Sequence, residues 1–278
     1  MATSVAIQGD VASFHDIAAR RFFSQQSQPI CCDTFDGTFK ALDSGEADYA
    51  VCAIENSLYG SINEVYDLLL RYNFSIIGEV YLRIEQCLIG LPGANIRDLK
   101  EVYSHPVALA QCERYFETML PNTKLLELHD TAASVVFIKT KNDPTLAAVA
   151  SEEAATLHGM SVLASSIETN QQNYTRFMVL SKTKSRVEGA NKTSLVIRTR
   201  HTPGALYNAL GAFATLNINL SKLQSRPIIG KSWHYMFYVD VEAGANEPAF
   251  QQAIDALLSQ GCDVQILGSY LHGTQLSD

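Results

Sequence analysis

The chain contains no run of about 20 apolar residues, so nothing in it reads as a bilayer-spanning helix. Its six cysteines, Cys31, Cys32, Cys52, Cys87, Cys112 and Cys262, form no C-x-x-C pair. In a chain this long they read as reduced, mostly buried thiols of a cytosolic protein, not as staples. The seven histidines show neither H-E-x-x-H nor H-x-H spacing, so no metal centre is expected. Eight prolines and 16 glycines in 278 residues are too few for a collagen-like or disordered chain. Basic charge is also scarce. Of 21 Lys+Arg and 29 Asp+Glu, residues 190–278 hold six of each, so residues 1–189 hold 21 − 6 = 15 and 29 − 6 = 23 and carry the whole net charge of −8. Without a basic stripe to displace phosphate counterions, nucleic acid is not an expected partner. Met1–Asp10 shows no basic segment followed by an apolar one, so no signal peptide is expected and the location is read as cytoplasmic.

What is present is a 47% hydrophobic chain whose first half alternates short apolar runs with helical ones. Ser4–Gln8, Ile30–Thr34 and Tyr49–Ile54 read as strands; Ala12–Gln26, Thr38–Ser44 and Ile62–Tyr72 read as helices. Such alternation predicts parallel β-α-β units. Phe74–Leu91 is instead a long strand-like stretch, as expected of a chain crossing between two lobes. The alternation then resumes through Val162–Ala164, and Phe177–Leu180 returns to the first lobe. Two α/β lobes joined near residues 80–86 and 165–176 place a ligand cleft between them. The charged, aperiodic stretch Lys182–Lys192 reads as a boundary, giving a region 1–182, a linker 183–193 and a region 194–278. The last region has strands at Ser194–Arg200, Ile218–Gln224, Trp233–Glu242 and Cys262–Leu271 and helices after Pro203 and from Pro248. That order is the βαββαβ of a ferredoxin-like module.

Three clusters lie where strands end, which is where open α/β sheets hold ligands. They are Glu55-Asn56-Ser57-Leu58-Tyr59-Gly60, Ser104-His105-Pro106 with Gln111-Cys112, and Asn173-Tyr174-Thr175-Arg176-Phe177. Taken singly each admits a plainer reading: a helix cap at Asn56 or Ser57, a cap at Ser104 before Pro106, a strand start with one exposed arginine. Taken in order, E-N-S-x-x-G, S-H-P-x-x-x-x-Q-C and N-x-T-R-F resemble prephenate dehydratase. The tail, with Gly204-Ala205-Leu206 and Ser225-Arg226-Pro227, resembles an ACT regulatory domain.

The resemblance implies a catalytic region of the two-lobed type-2 periplasmic-binding-protein kind, followed by the ACT module. It implies decarboxylating dehydration of prephenate to phenylpyruvate without cofactor or metal. It also implies feedback by phenylalanine and assembly as a homodimer or homotetramer. Carried over by position, Thr175 is the catalytic threonine, with Arg176, Asn56, Ser104, Gln111 and Glu55 as its companions. Ser13, Ser57, Phe177 and His105 would contact substrate. Gly204, Ala205, Leu206, Asn219, Gln224, Ser225, Arg226 and Pro227 would bind phenylalanine. Arg176 is expected at the pyruvyl carboxylate, where a planar fork orients the substrate without favouring its ground state. A threonine hydroxyl is a weak acid, so Thr175 is expected to hydrogen-bond the departing hydroxyl while water or Glu55 completes the transfer. His105 is the other candidate acid.

The sequence departs from the family pattern in places. G-P-x-G-T-F-S is replaced by Gly9-Asp10-Val11-Ala12-Ser13-Phe14-His15, so Ser13 keeps a hydroxyl, His15 stands for a serine, and the Cβ of Ala12 argues against a strongly positive φ there. H-P-Q is His105-Pro106-Val107, one amide short, and E-S-R-P is Gln224-Ser225-Arg226-Pro227, which lacks the carboxylate for an effector's ammonium. Asn217-Ile218-Asn219-Leu220 is expected to lead into an edge that pairs between subunits. Two alternatives remain: a dehydratase preferring arogenate, the amino analogue, with Glu55 or Asp10 meeting its amine, or a non-catalytic two-lobed binding protein.

Overall fold

The computed structural model describes residues 3–24, 27–184 and 187–273. They fall into two units: residues 3–68 with 80–178, and residues 69–79 with 179–273.

In chain order the first elements are β1 (Ser4–Gln8), α1 (Phe14–Phe23), β2 (Gln28–Cys32), α2 (Phe35–Ser44), β3 (Tyr49–Asn56), β4 (Gly60–Ser61), α3 (Asn63–Tyr72) and β5 (Ser75–Arg83). Then follow β6 (Cys87–Gly90), β7 (Glu101–Ser104), α4 (Pro106–Gln111), α5 (Glu113–Met119), β8 (Lys124–Glu127) and α6 (Thr131–Lys141). The first region closes with β9 (Leu146–Ala150), α7 (Glu152–His158), β10 (Ser161–Ala164) and β11 (Tyr174–Ser181). One sheet has the order β2-β1-β3-β11-β5 with β4 on β3; a second has the order β10-β6-β9-β7-β8. β1 pairs in parallel with β2 and β3, and β7 with β8 and β9, as the alternation of strands and helices requires. β9 is the run Leu-Ala-Ala-Val-Ala, a central strand buried throughout, paired antiparallel with β6 and parallel with β7.

Short polar side chains start the helices around the strand ends. Ser13 accepts from the Asp16 amide, Thr34 from Gly37, Asp130 from Ala133 and Ser151 from Ala154. Gly45 at φ 81° and Gly159 at φ 66° stop α2 and α7 in the left-handed conformation. The bonds between residues 84–86 and 167–173 tie the two crossing segments together. Ile84 N–H donates to Asn173 O at 2.7 Å, Gln86 N–H to Glu168 Oε2 at 2.9 Å, and Ile167 N–H to Gln86 O at 3.0 Å.

One expectation is corrected here. Ala12 adopts φ 64° despite its Cβ. A non-glycine residue in that region costs about 1–2 kcal/mol, and the surroundings hold it there. The Ala12 amide donates to Asp16 Oδ2 at 2.8 Å, and its carbonyl accepts from Ser151 Oγ at 2.9 Å.

The second unit continues with β12 (Lys192–Arg198), α8 (Ala205–Ala214), β13 (Leu220–Pro227), β14 (Tyr235–Val241), α9 (Pro248–Ser259) and β15 (Asp263–Tyr270). The sheet order is β13-β14-β12-β15, all antiparallel, with β13 at one edge. Leu195, Ile197, Phe213, Val239, Phe250 and Leu257 make its core against α8 and α9. Lys192, read from sequence as linker, is instead the buried first residue of β12. Its Nζ lies 3.0 Å from each oxygen of the buried Glu79 carboxylate. Gly268 passes so close to Ile76 that a Cβ would strike the Ile76 carbonyl, so only glycine fits.

Candidate active site

A cavity of about 600 Å³ opens in the first unit where β1, β3 and β11 meet the starts of α1, α2, α4 and α6. Its lining includes Ser13, Asn56, His105, Gln111, Thr175 and Phe177 from the sequence reading. Thr175 and Phe177 face it because alternate residues of a strand share a face. The residue between them does not. Arg176 is buried, and its guanidinium carbon stands 6.0 Å from the centre of the Tyr81 ring. The expected contact of Arg176 with the pyruvyl carboxylate is therefore corrected by strand alternation.

Three other expected residues also stand off the lining. Glu55 lies in the β3 register opposite Ser61, while Ala53 and Asn56 reach the cavity. Ser57 Oγ donates to Gln172 O and accepts from the Tyr174 amide, each at 2.9 Å, which pins β3 to the start of β11. Ser104 is fully buried and donates to Val149 O at 2.7 Å, a bond within the second sheet.

The central contact is between Asn56 and Thr175. Asn56 Oδ1 accepts from the amides of Leu58 and Tyr59, at 3.0 and 3.1 Å, so its nitrogen must face the other way. Nδ2 donates to Asn173 Oδ1 at 2.8 Å, to Tyr174 O at 3.2 Å and to Thr175 Oγ1 at 3.0 Å. Thr175 Oγ1 thus receives a hydrogen from Asn56 and keeps its own hydrogen to donate elsewhere.

Two histidines are fixed in tautomer by the backbone. A main-chain N–H can only donate. His15 Nε2 lies 3.1 Å from the Ala53 amide, so the imidazole is neutral with its hydrogen on Nδ1. Burial between Phe35 and Phe177, with His105 nearby, pushes its pKa down to about 3. His105 caps α4 by accepting from the Val107 amide at 3.2 Å through Nδ1, which leaves its hydrogen on Nε2. Burial lowers its pKa as well. Asp130 caps α6, and burial raises its carboxyl pKa. A side chain at Gly9, φ 93°, would come within 2.5 Å of that carboxylate.

Sequence reading missed Gln86 and His129 on the cavity wall, and gave His15 no role. Gln86 Nε2 donates to Gln111 Oε1 at 3.0 Å. Among the described residues that line the cavity there is no lysine or arginine. Positive potential comes instead from helix starts: Phe14, Phe35 and Thr131, the first residues of α1, α2 and α6, all line it. Asp33 and Glu64 sit exposed at its rim.

The chain matches the family model for prephenate dehydratase over residues 5–185 and that for the ACT domain over residues 193–259. It belongs to the prephenate dehydratase family. An arogenate dehydratase/prephenate dehydratase of Arabidopsis thaliana is 38% identical, over 96% of this chain and 72% of its own length. The L-Phe complex of the Arthrobacter aurescens prephenate dehydratase is 29% identical with a TM-score of 0.87, covering 97% of this chain and 90% of that one. A structure described as a novel type of quorum-quenching acylase is 32% identical, also with a TM-score of 0.87, covering 97% and 98%.

The fold is thus the mixed α/β fold of the prephenate dehydratases, followed by the ACT domain. Of the cavity's hydroxyls, that of Ser13 caps α1 and that of Thr175 is held by Asn56. The ACT region has a second, smaller cavity of about 170 Å³, lined by Ala205 and Leu206 with residues 199–202, His234, Tyr235 and Phe237. Gly204 takes φ 80° at the start of α8. Asn219, Gln224, Ser225, Arg226 and Pro227 lie before or along the edge strand β13 and do not line that cavity within one chain.

Proposed function

We propose that the cleft converts prephenate to phenylpyruvate, carbon dioxide and water, with Thr175 at the leaving hydroxyl. The observation that carries the assignment of roles is the Asn56–Thr175 hydrogen bond. It uses the threonine oxygen as an acceptor and leaves its hydrogen to be donated to an oxygen that is losing its carbon. The C1–carboxylate bond breaks and its electron pair enters the ring. The C4–O bond breaks in concert, and the oxygen leaves as water after gaining one proton, drawn in the end from solvent. Thr175 is a donor to that oxygen and not the net source of the proton, because its hydroxyl is too weak an acid. Glu55 is off the cavity lining, so water is assigned the relay.

That no lysine or arginine is among the described lining residues suits this chemistry. The carboxylate that departs as carbon dioxide must not be held more tightly than its transition state. Neutral donors such as the Nε2–H of His105, the Nδ1–H of His15 and the amide of Gln111 bind it without a full counter-charge. The starts of α1, α2 and α6 supply the diffuse positive potential that a dianion needs. No residue here is assigned to a metal or cofactor.

The ACT region is assigned as the site of phenylalanine control. Its 170 Å³ cavity at the start of α8 offers backbone N–H groups to an amino-acid carboxylate. Arg226 and its neighbours on β13 are assigned to complete that site from a second copy, which makes the working form a homodimer or homotetramer. The compartment is assigned as cytoplasmic. No described helix is long and apolar enough to cross a membrane.

The experiment is a stopped assay for phenylpyruvate, with prephenate and no added metal or nucleotide, repeated with phenylalanine. Turnover that phenylalanine reduces is expected. No turnover would contradict the proposal.

A further inference from the structure

Phenylalanine is a zwitterion, so a site that selects it needs an acceptor for its ammonium as well as donors for its carboxylate. In the run Gln224-Ser225-Arg226-Pro227 the first residue is an amide and not an acid. No other acid takes its place. Among the described residues that line the 170 Å³ cavity at the start of α8 there is no Asp or Glu. The edge strand assigned to complete the site, Leu220–Pro227, has none either.

What the cavity wall carries instead is a pair of imidazoles. His201 comes from the loop between β12 and α8, and His234 from the loop between β13 and β14. Their ring centres are 4.7 Å apart and their planes are inclined by 33°. Two backbone turns set them there: Ala205 N–H donates to Thr202 O at 3.2 Å, and Ile228 N–H to His234 O at 2.8 Å. Both residues are exposed in the single chain, so a ligand can reach them. His234 is also fixed in tautomer. Its Nδ1 lies 3.0 Å from the Ser232 carbonyl oxygen. A carbonyl oxygen only accepts, so Nδ1 carries the hydrogen, and in the neutral ring Nε2 keeps its lone pair. No described residue donates to that nitrogen.

The other polar groups of the wall sort by chemistry. Arg200 only donates, and its guanidinium lies over Gly261, where a Cβ would come within 2.5 Å of Nη2. Thr199, Thr202 and Tyr235 carry hydroxyls, whose oxygens are far less basic than an imidazole nitrogen. A carboxylate has only acceptors to offer, which suits Arg200 and the N–H groups of α8. An ammonium has only donors, which suits Nε2 of His234.

We infer that His234, with His201 beside it, receives the ammonium of the effector in place of a carboxylate, so that this cavity selects an α-amino acid with a free amino group. The inference rests on the reading of the ACT region as the site of phenylalanine control and names the group that recognises the amino end.

The test is calorimetric titration of the full-length protein with L-phenylalanine and with 3-phenylpropanoate, which lacks only the amino group. The wild type should bind phenylalanine at least about tenfold more tightly. His234→Leu should weaken phenylalanine about tenfold, the worth of one hydrogen bond to a charged group, and bring the two ligands within about threefold of each other. His234→Gln offers a side-chain oxygen near the place of Nε2 and should stay within about threefold of the wild type. His234→Lys puts a cation there and should weaken phenylalanine more than His234→Leu does. Turnover of prephenate without effector should be unchanged in all three, because His234 does not line the catalytic cavity. A wild type that binds both ligands equally overturns the inference. So does a His234→Leu protein that keeps wild-type affinity for phenylalanine, or a His234→Gln protein that binds it as weakly as His234→Leu. A wild type that binds no phenylalanine removes the reading of phenylalanine control itself, a different result from binding that ignores His234.

Discussion

Asn56 gives a hydrogen to Thr175 and takes none back: Nδ2 to Oγ1 is 3.0 Å, while Asn56 Oδ1 is occupied by two main-chain amides. The direction of that bond leaves the threonine hydrogen free of Asn56, as the proposed donor role requires. Asn56→Asp should reverse it, because a carboxylate would draw the threonine hydrogen to itself. Turnover should fall by about 10²-fold, the loss typical of one transition-state donor, with circular dichroism unchanged. Thr175→Ser should retain most of the rate, since it keeps the hydroxyl. Retention of full rate by Asn56→Asp would mean that the polarity of this bond is irrelevant.

His15 should make the protein acid-sensitive. Its folded pKa of about 3 lies below the ordinary value of 6.5, so the unfolded chain binds its proton first. The stability its neutral form contributes is complete above about pH 6.5 and declines as pH falls toward 3. Well below pH 6.5 the decline approaches the one-proton linkage slope of about 1.4 kcal/mol per pH unit. Urea melts between pH 7 and 4.5 should show the slope, and His15→Gln should flatten it. An unchanged slope in the variant would place the acid sensitivity elsewhere.

Arg176 belongs to the packing behind β11. Arg176→Lys removes a planar cation from the Tyr81 face and should lower Tm by a few degrees. KM for prephenate should stay within threefold. A tenfold rise in KM with unchanged Tm would return Arg176 to the substrate.

The Lys192–Glu79 pair should behave as a buried ion pair does. Glu79→Gln leaves the Lys192 ammonium buried without its counter-charge and should cost about 3–5 kcal/mol. Replacing both, as Glu79→Leu with Lys192→Met, should cost much less. Equal losses in the single and the double variant would show that these residues are not coupled.

Much of this was legible in the residues, and the failures have physical causes. The parallel alternation and the βαββαβ order follow from hydrophobic periodicity. The clusters that hold Thr175 and Asn56 stood out at strand ends, but their roles came from the resemblance to prephenate dehydratase; both residues line the cavity. Arg176 was misplaced because a motif was read as a unit, although adjacent strand residues face opposite ways. Ala12 was misread because local sterics forbid what Asp16 and Ser151 enforce from four and 139 residues away. Lys192 looked solvated because the carboxylate that allows its burial lies 113 residues upstream. Gln86 had no signal in its neighbours; only folding brings it to Gln111.

The most direct test of the account is phenylpyruvate formation from prephenate by the wild type beside Thr175→Val, which keeps the shape of the side chain and removes its hydroxyl. The account predicts turnover without metal or cofactor in the wild type and a loss of about 10²-fold or more in kcat for the variant, with KM little changed. A variant that turns prephenate over at the wild-type rate would contradict it.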